Sequence, residues 1–219
     1  MNYLIHSCGK RRWYVNKFLI PSMLKQGIDK KNINVYEDSI NYGNLTSTMD
    51  SFKELPNFGE TWHLQDDVII SSDFKEKTEK YTDGIVCGFC NKYSQENPPG
   101  ESSPQKMWMS FQCILIPNVV ARSCAEWFYT DVVNNKEFRL WVQSRKYDDS
   151  IFKIYLQDFW EDIYVYHLAP NIVDHIDYLI GGSTINACRD DKQVRSLYWN
   201  EPELVKELER NLQCQYGRQ

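Results

Sequence analysis

Thr61-Trp62-His63-Leu64-Gln65-Asp66-Asp67-Val68-Ile69-Ile70-Ser71 carries two adjacent aspartates between two apolar runs. The apolar neighbours favour a strand end over a solvated helix face for this doublet, and aspartate is depleted from strand interiors. Neighbouring carboxylates in a partly buried setting repel each other unless a cation or several hydrogen-bond donors hold them. A divalent metal is the simplest such cation, because Mg²⁺, Mn²⁺ and Ca²⁺ prefer carboxylate oxygens. The alternative is a polar turn between two strands.

The length and charge of the chain limit the classes of protein it can belong to. A chain of 219 residues is long enough for one large domain, or for a domain with a short extension. Its net charge of -5 argues against a broad nucleic-acid-binding surface, and Lys10-Arg11-Arg12 is the only dense basic run. The aromatic content of 14% can fill a core, line a sugar-binding cleft, or do both.

The cysteines indicate a reducing compartment. Seven cysteines, odd in number and scattered, favour a cytoplasmic protein without disulfides. Cys87-Gly88-Phe89-Cys90 has the spacing of a redox site or of half a zinc site, but no second such pair or histidine pair accompanies it. We therefore predict buried structural thiols in a strand. The sequence also predicts neither a membrane span of roughly 20 apolar residues nor a signal peptide.

The first forty residues predict a strand, a helix and a second strand. Residues 2–7 read as a strand, residues 14–24 have helical periodicity, and residues 34–36 form the next strand. Pro21 is expected to kink the helix or to begin a second piece. Parallel strands joined in this way end at the same edge of a sheet, where ligands bind. We therefore expect Ser7-Cys8-Gly9 and Glu37-Asp38-Ser39 to face a nucleotide together.

The later elements are predicted from apolar runs and turn residues. We expect residues 91–106 to be a loop without structure of its own, and residues 170–177 to be a loop or a short helical turn. The other predicted strands are residues 83–89, 107–117 and, as the last strand, 164–168. The other predicted helices lie within residues 43–60 and 73–80, from Asn118, at 151–159 after a capping segment at 146–150, and from Glu201.

A strand, a helix, a strand and then an acidic doublet resemble the GT-A class of glycosyltransferases. Leu64-Gln65-Asp66-Asp67-Val68 looks like the Glu-Asp-Asp version of that class's metal motif, with Gln65 in place of the first acid. Pro170-Asn171-Ile172-Val173-Asp174-His175 and then Gly181-Gly182-Ser183-Thr184-Ile185-Asn186 resemble the ending of lipooligosaccharide-type and related phage-encoded glycosyltransferases. The resemblance extends over residues 1–186, and its motifs are short.

The resemblance implies an α/β fold with one GT-A, Rossmann-like domain at residues 1–187. Its central sheet would be mixed, mostly parallel and flanked by helices, with a C-terminal helical extension at residues 188–219. The implied activity is Mn²⁺- or Mg²⁺-dependent transfer of a sugar from a nucleoside-diphosphate sugar, with UDP favoured. The acceptor would be a hydroxyl on a carbohydrate, a protein or a modified DNA base, and a phage-encoded enzyme would act in the host cytoplasm. A non-catalytic carbohydrate- or nucleotide-binding domain and a nucleotidyltransferase remain alternatives.

The resemblance also implies roles for the residues of the donor site. Asp67 would be the direct metal ligand, and His175 the second, although a lone histidine is more often a core or surface residue. Asp66 would meet the ribose or the sugar, next to Gln65. The position of other residues at the strand ends also suggests donor binding. Arg11 and Arg12 follow the first strand closely enough to reach a phosphate, with a merely exposed position as the alternative. Ser7 ends the first strand, and Glu37 and Asp38 end the second, where a base or ribose could be bound.

An acid pair later in the chain is the candidate catalytic base. Asp148 and Asp149 precede a predicted helix at the position where this class often carries the base of an inverting enzyme. The alternatives are that they cap the helix, or that a retaining mechanism needs no base. Trp62 and Trp108 are candidates for stacking on uracil or sugar, with a core position as the alternative.

Overall fold

The structure, a computed structural model, describes residues 1–39, 43–90, 100–102, 110–137, 148–160, 162–181, 196 and 198–216. Its strands are β1 Asn2–Cys8, β2 Ile33–Asp38, β3 Glu60–Gln65, β4 Val68–Ile70, β5 Ile85–Cys87, β6 Gly100–Ser102, β7 Cys113–Pro117, β8 Val165–His167 and β9 Val173–His175. Its α-helices are α1 Arg12–Tyr14, α2 Ile20–Lys25, α3 Asn44–Lys53, α4 Phe74–Glu79, α5 Asn118–Trp127, α6 Asp148–Phe159 and α7 Pro202–Tyr216. Short 3-10 turns cover Gly9–Arg11, Lys30–Asn32 and Asp177–Leu179, and π-helical turns cover Val15–Leu19 and Phe128–Val132.

Seven strands form one mixed sheet in the order β2-β1-β3-β7-β5-β8-β6. Strands β2, β1 and β3 are mutually parallel, and so are β5 and β8, whereas β7 and β6 run antiparallel to their neighbours. Strands β4 and β9 pair antiparallel in a separate two-stranded sheet. The predicted α/β fold with a mixed, mostly parallel sheet is therefore confirmed.

The sheet separates two hydrophobic cores, because successive side chains of a strand point to opposite faces. In β1, Leu4 joins the first core, whereas Tyr3 and Ile5 join the second. In β7, Ile114 lies in the first core and Leu115 in the second. Helices α3, α5 and α6 cover the first face, and α1, α2 and α7 cover the second. Because β7 is buried on both faces, its sequence is apolar without alternation.

The first helix is divided by a π-helical turn in front of Pro21. The Ile20 N–H donates to the Val15 carbonyl, five residues back, and Pro21 lies in the first turn of α2. Proline has no N–H to donate, so it is tolerated at a helix start and not in a continuous helix interior. Of the two alternatives that the sequence left open, a kink or a second helical piece, the structure has a second piece, which begins at Ile20 with Pro21 in its first turn.

Several predicted boundaries were wrong. Residues 110–112 do not extend β7, because Phe111 and Gln112 form a turn. Gly100–Ser102, predicted as part of a loop, forms edge strand β6 against β8. Residues 164–168 are not the last strand, because Val173–His175 follows and pairs with Val68–Ile70. Both missed strands are three residues long, and partners far along the chain stabilise them.

The cysteines among the described residues are free thiols: Cys8, Cys87, Cys90, Cys113, Cys124 and Cys214. Cys87 lies in β5 as predicted, and Cys90 is equally buried but lies beyond the strand. Burial in apolar surroundings raises the pKa of both thiols, so they stay protonated and chemically quiet. Cys188 lies outside the described residues. No helix in the described part of the chain has the length and apolar character needed to cross a bilayer.

Candidate functional site

The candidate site lies at the carboxyl ends of three neighbouring parallel strands. Ser7 is aligned with Glu37 and Cys8 with Asp38, so the strand ends that the sequence placed at one edge do meet there. A cavity of about 100 Å³ opens at this edge. Its lining includes residues from the ends of β1 and β3 and the start of α3: His6, Ser7, Cys8, Arg11, Asp38, Gly43, Asn44, Ser47, Gln65, Asp66 and Asp67. This volume is below the roughly 300 Å³ at which typical small-molecule sites begin.

The acidic doublet forms the floor of this cavity. Asp66 and Asp67 occupy the turn between β3 and β4, and both are buried. The Cys8 backbone N–H donates to Asp66 Oδ2 over 2.8 Å. The Arg11 guanidinium donates through one nitrogen to Asp66 Oδ1, at 3.1 Å, and to Asp67 Oδ2. A protein cation therefore lies between the two carboxylates that the sequence predicted to need one.

His175 reaches the doublet from the second, two-stranded sheet. His175 is aligned with Val68 in the pairing of β9 with β4. The N–H of the next residue, Ile176, donates to the Asp67 carbonyl over 2.8 Å. His175 Nε2 lies 3.1 Å from Asp67 Oδ2, and its Nδ1 lies 3.7 Å from Asp177 Oδ1. The two residues that the resemblance assigned to metal binding are therefore in direct contact, although more than a hundred positions separate them in the sequence.

The charges in this cluster shift the pKa values of its members. Burial disfavours protonated histidine, but the carboxylates of Asp67 and Asp177 outweigh it and raise the pKa of His175 to about 9. Burial likewise disfavours ionised Asp67, yet His175 and Arg11 hold the pKa of its carboxyl well below its usual range. Burial and the neighbouring Asp67 charge raise the pKa of Asp66 instead. Asp67 is thus the more acidic member of the doublet.

The geometry around Asp67 fits a divalent metal held by two protein side chains. Asp67 Oδ1 is a buried oxygen without a hydrogen-bond partner among the described residues, which leaves one carboxylate oxygen for a ligand. His175 Nε2 and Asp67 Oδ2, which lie 3.1 Å apart, would be the nitrogen and oxygen ligands of such an ion. In the described part of the chain, no three His, Cys, Asp or Glu side chains form a metal cage. A metal that takes one or two protein ligands and completes its shell with substrate phosphates is typical of Mg²⁺ sites.

The other predicted donor-binding residues divide into two groups. Ser7, Asp38 and Gln65 line the cavity together with the doublet. Arg12 and Glu37 do not line it, and pair with each other at its margin, with 3.6 Å between Arg12 Nε and Glu37 Oε2. The structure therefore brings Arg11 to the site and turns its neighbour Arg12 aside.

The second acid pair lies in the first turn of α6. The Thr48 hydroxyl donates to Asp148 Oδ2 over 3.1 Å, and Thr48 follows Ser47, which lines the cavity. Burial, with a contribution from the Asp149 charge, raises the pKa of Asp148 to about 7. Burial raises the pKa of Asp149 as well. Neither carboxyl lines the cavity itself, and the helix begins at Asp148 instead of after a cap ending at Ser150.

The two tryptophans proposed for stacking have different outcomes. Trp62 is fully buried in the second core, and its indole N–H donates to the Thr78 carbonyl over 3.3 Å. It points to the face of β3 opposite His63 and cannot stack on a ligand, so that prediction was wrong. The physical reason is the strand period of two, which places Trp62 and Leu64 on the same buried face. Trp108 lies outside the described residues.

Sequence reasoning missed two residues of the site. Asp177 supports His175 from the 3-10 turn after β9, and a short acidic turn carries no sequence signal for that role. His6 lines the cavity and forms a hydrogen bond with His63 over 3.0 Å. Burial lowers the pKa of His6 to about 4, so it is neutral at pH 7. Its position one residue before Ser7 at the end of β1 was the available signal.

Comparisons with known proteins indicate the fold. No family model matches the sequence, and no curated protein matches it. The chain is similar to galactosyltransferase LgtC in complex with donor and acceptor sugar analogues, with a TM-score of 0.51, 11% identity and 96% of each chain covered. It is also similar to S. aureus TarS 1-349, with a TM-score of 0.46, 11% identity and coverage of 79% of this chain and 59% of that one. A third match is a glycosyltransferase involved in the glycosylation of the major capsid of PBCV-1, with a TM-score of 0.36, 12% identity and coverage of 76% and 92%. The likeness to the first of these extends over the whole sheet, and the chain therefore has the GT-A fold that the sequence predicted.

Proposed function

We propose that this protein is a metal-dependent glycosyltransferase that uses a nucleoside-diphosphate sugar, with UDP favoured, and an acceptor hydroxyl. The observation that carries the proposal is the contact between Asp67 and His175 at the carboxyl ends of the parallel strands. Asp67 Oδ1 is buried there and has no hydrogen-bond partner in the part of the chain that the structure describes. Ligands of open α/β sheets bind at this edge. A carboxylate and an imidazole are suitable ligands for Mn²⁺ or Mg²⁺.

The leaving diphosphate is the group that most needs stabilising. When the bond between the anomeric carbon and the diphosphate oxygen breaks, its electron pair stays on the diphosphate, and the acceptor oxygen bonds to the same carbon. A metal held by Asp67 and His175 would supply positive charge there as a Lewis acid. Asp66 and Gln65 would meet the sugar or ribose, and both line the cavity together with Ser7 and Asp38.

The acceptor proton has a candidate destination in the second acid pair. A general base works best when its pKa lies near the working pH, and Asp148, with a pKa raised to about 7, meets that condition. It accepts a hydrogen bond from Thr48, whose neighbour in α3, Ser47, lines the cavity. In an inverting reaction Asp148 or Asp149 would take this proton, whereas a retaining reaction uses neither in this way. Carbohydrates, proteins and modified DNA bases remain the acceptor classes proposed.

A thermal-shift scan tests the proposal directly. UDP, GDP and CDP, and sugars carried on them, are added with and without Mn²⁺, and the wild type is compared with Asp67→Ala and with Asp83→Ala, an exposed carboxylate away from the site. We expect a rise in melting temperature that needs both a diphosphate and the metal, is lost in Asp67→Ala and persists in Asp83→Ala. Slow release of the nucleoside diphosphate from the preferred donor should have the same dependence.

The alternatives give different outcomes in the same experiment. A non-catalytic domain would bind a sugar or nucleotide without releasing a diphosphate. A nucleotidyltransferase would respond to a nucleoside triphosphate and release pyrophosphate; the turn Ser7-Cys8-Gly9-Lys10-Arg11-Arg12 has few glycines for its phosphate loop. No response to any nucleotide would contradict the transferase proposal. The division into a domain at 1–187 and an extension at 188–219 stays a prediction, although Leu208 and Leu212 of α7 pack into the second core.

A further inference from the structure

Arg11 occupies a position that a simple phosphate-binding arginine would not. It lies in the 3-10 turn Gly9–Arg11 directly after β1 and is almost completely buried. It donates to Asp66 Oδ1 at 3.1 Å and to Asp67 Oδ2. Asp67 Oδ2 is also the oxygen that lies 3.1 Å from His175 Nε2. Arg11 and His175 therefore share one oxygen of Asp67, Oδ2. A metal that bound this oxygen together with His175 would displace the guanidinium.

The charges in this cluster make it unfavourable for Arg11 and a divalent metal to bind Asp67 at the same time. The Arg11 guanidinium lies against the carboxylates of Asp66 and Asp67. A divalent ion bound through the same carboxylate would lie within a few ångströms of the guanidinium in a buried setting, where like charges are weakly screened. The metal and the guanidinium must therefore compete for Asp67.

A diphosphate bound in the same cavity would be the new partner of a displaced Arg11 guanidinium. Arg11 lines it together with Ser7, Cys8 and Asp38, and a planar guanidinium is well suited to bind phosphate oxygens through two parallel hydrogen bonds. A diphosphate entering this cavity would meet Arg11, which lines it. If the Arg11 guanidinium moves from the carboxylates to a phosphate, it replaces one charge-assisted hydrogen-bonded pair with another.

We propose that Arg11 is a displaceable counter-cation of the acidic doublet, which holds Asp67 while no metal is bound and moves to the donor diphosphate when a metal takes Asp67. The inference rests on the proposed function for the nature of the donor, but the competition between Arg11 and the metal does not require turnover. It predicts that removal of the guanidinium strengthens the binding of metal alone and weakens the binding of the diphosphate. A purely structural arginine would give no gain in metal affinity.

Binding of Mn²⁺ alone, measured by electron paramagnetic resonance of the free ion and by calorimetry, tests this competition. The variants are Arg11→Met, which keeps length and removes charge, and Lys10→Met, which removes a charge from the exposed neighbour in the same turn. We expect Arg11→Met to bind Mn²⁺ about 10- to 100-fold more tightly than the wild type, the range that corresponds to loss of one competing charge-assisted hydrogen bond. Lys10→Met should match the wild type. At saturating Mn²⁺, Arg11→Met should bind UDP at least about tenfold more weakly, since it lacks the cation that would meet the phosphates.

A second variant protects the test against loss of folding. Arg11→Lys keeps a buried cation but cannot span both carboxylates in the same way, so it should also bind Mn²⁺ more tightly than the wild type, by less than the methionine variant. Equal or weaker Mn²⁺ binding in whichever variant is folded would overturn the inference, and so would the absence of Mn²⁺ binding by every protein. Tighter Mn²⁺ binding without any release of diphosphate from a nucleotide sugar would support the role of Arg11 and contradict the proposed transferase.

Discussion

Raising the pH from 6 to 9 should destabilise the metal-free protein through one histidine. The pKa of His175 is raised to about 9, above its ordinary value of 6.5, because the buried imidazolium is paired with Asp67 and Asp177. A group whose pKa is higher in the folded state binds its proton more tightly there. Its contribution to stability is complete below pH 6.5 and is lost as the pH rises through 9.

The size of the effect follows from the displacement of the pKa. A change from 6.5 to about 9 corresponds to about 3 kcal/mol in the free energy of unfolding, nearly all of it lost between pH 6 and pH 9. Because the side chain is about one-tenth exposed, screening by solvent reduces this value little. For a chain of this length, about 3 kcal/mol corresponds to a fall of about 6–12 °C in melting temperature.

Urea denaturation at the two pH values, in EDTA, measures this contribution. EDTA is needed because a metal on Asp67 would replace the proton as the partner. The wild type is compared with His175→Gln, which should lose about 3 kcal/mol less than the wild type between pH 6 and pH 9. The matched control is His167→Gln, because His167 is as deeply buried but burial lowers its pKa to about 4. His167 is neutral at both pH values, so its variant should keep the wild-type dependence.

An equal pH dependence in the wild type and His175→Gln would refute the charged contact between His175 and Asp67. An equal loss of pH dependence in His167→Gln would show that the effect is not specific to the doublet. Either result would remove the main geometric argument for a metal ligand pair at this position.

Three further changes test other parts of the structure. Gly88→Ala should cost about 1–3 kcal/mol in urea denaturation, because an added Cβ would lie 2.6 Å from Ile172 Cγ1; an unchanged midpoint would contradict the packing at β5. Burial raises the pKa of Asp148 to about 7, so ionisation of this carboxyl is unfavourable in the folded state. The wild type should therefore become less stable by up to about 4 kcal/mol between pH 4 and pH 7, and Asp148→Asn should not show this decrease. Identical pH profiles of the two proteins would show that this carboxyl is solvated. Phe58→Ser should change the unfolding free energy by less than about 0.5 kcal/mol, since Phe58 is 88% exposed; a larger loss would indicate a contact that the monomer does not contain.

Local patterns were sufficient for the elements that depend on short-range regularity. The apolar run of β1, the break at Pro21 and the helical periodicity of α3 and α7 can be read from neighbouring residues, because hydrogen-bond period and side-chain direction are local properties. The sequence also predicted that Ser7 and Glu37 lie at the same edge of the sheet, because parallel strands have their carboxyl ends at the same edge. These are the features that positioned the doublet correctly.

Elements held by distant partners could not be read from the sequence in the same way. Strand β9 contains only three residues, and its conformation depends on pairing with β4, a hundred positions earlier. Trp62 has the composition of a stacking residue and is a core residue, because the face of β3 that it occupies is covered by helices. The identity of a residue does not predict which face of a sheet helices will cover.

The sequence by itself determined that two carboxylates would meet at a strand end and would need a cation, because charge and strand position are both written in neighbouring residues. Only the tertiary structure decided which cations are present: Arg11 from the turn after β1 and His175 from a second sheet. The reason is that electrostatic energy depends on distance in space and on burial, and chain folding sets both across a separation that no local pattern encodes.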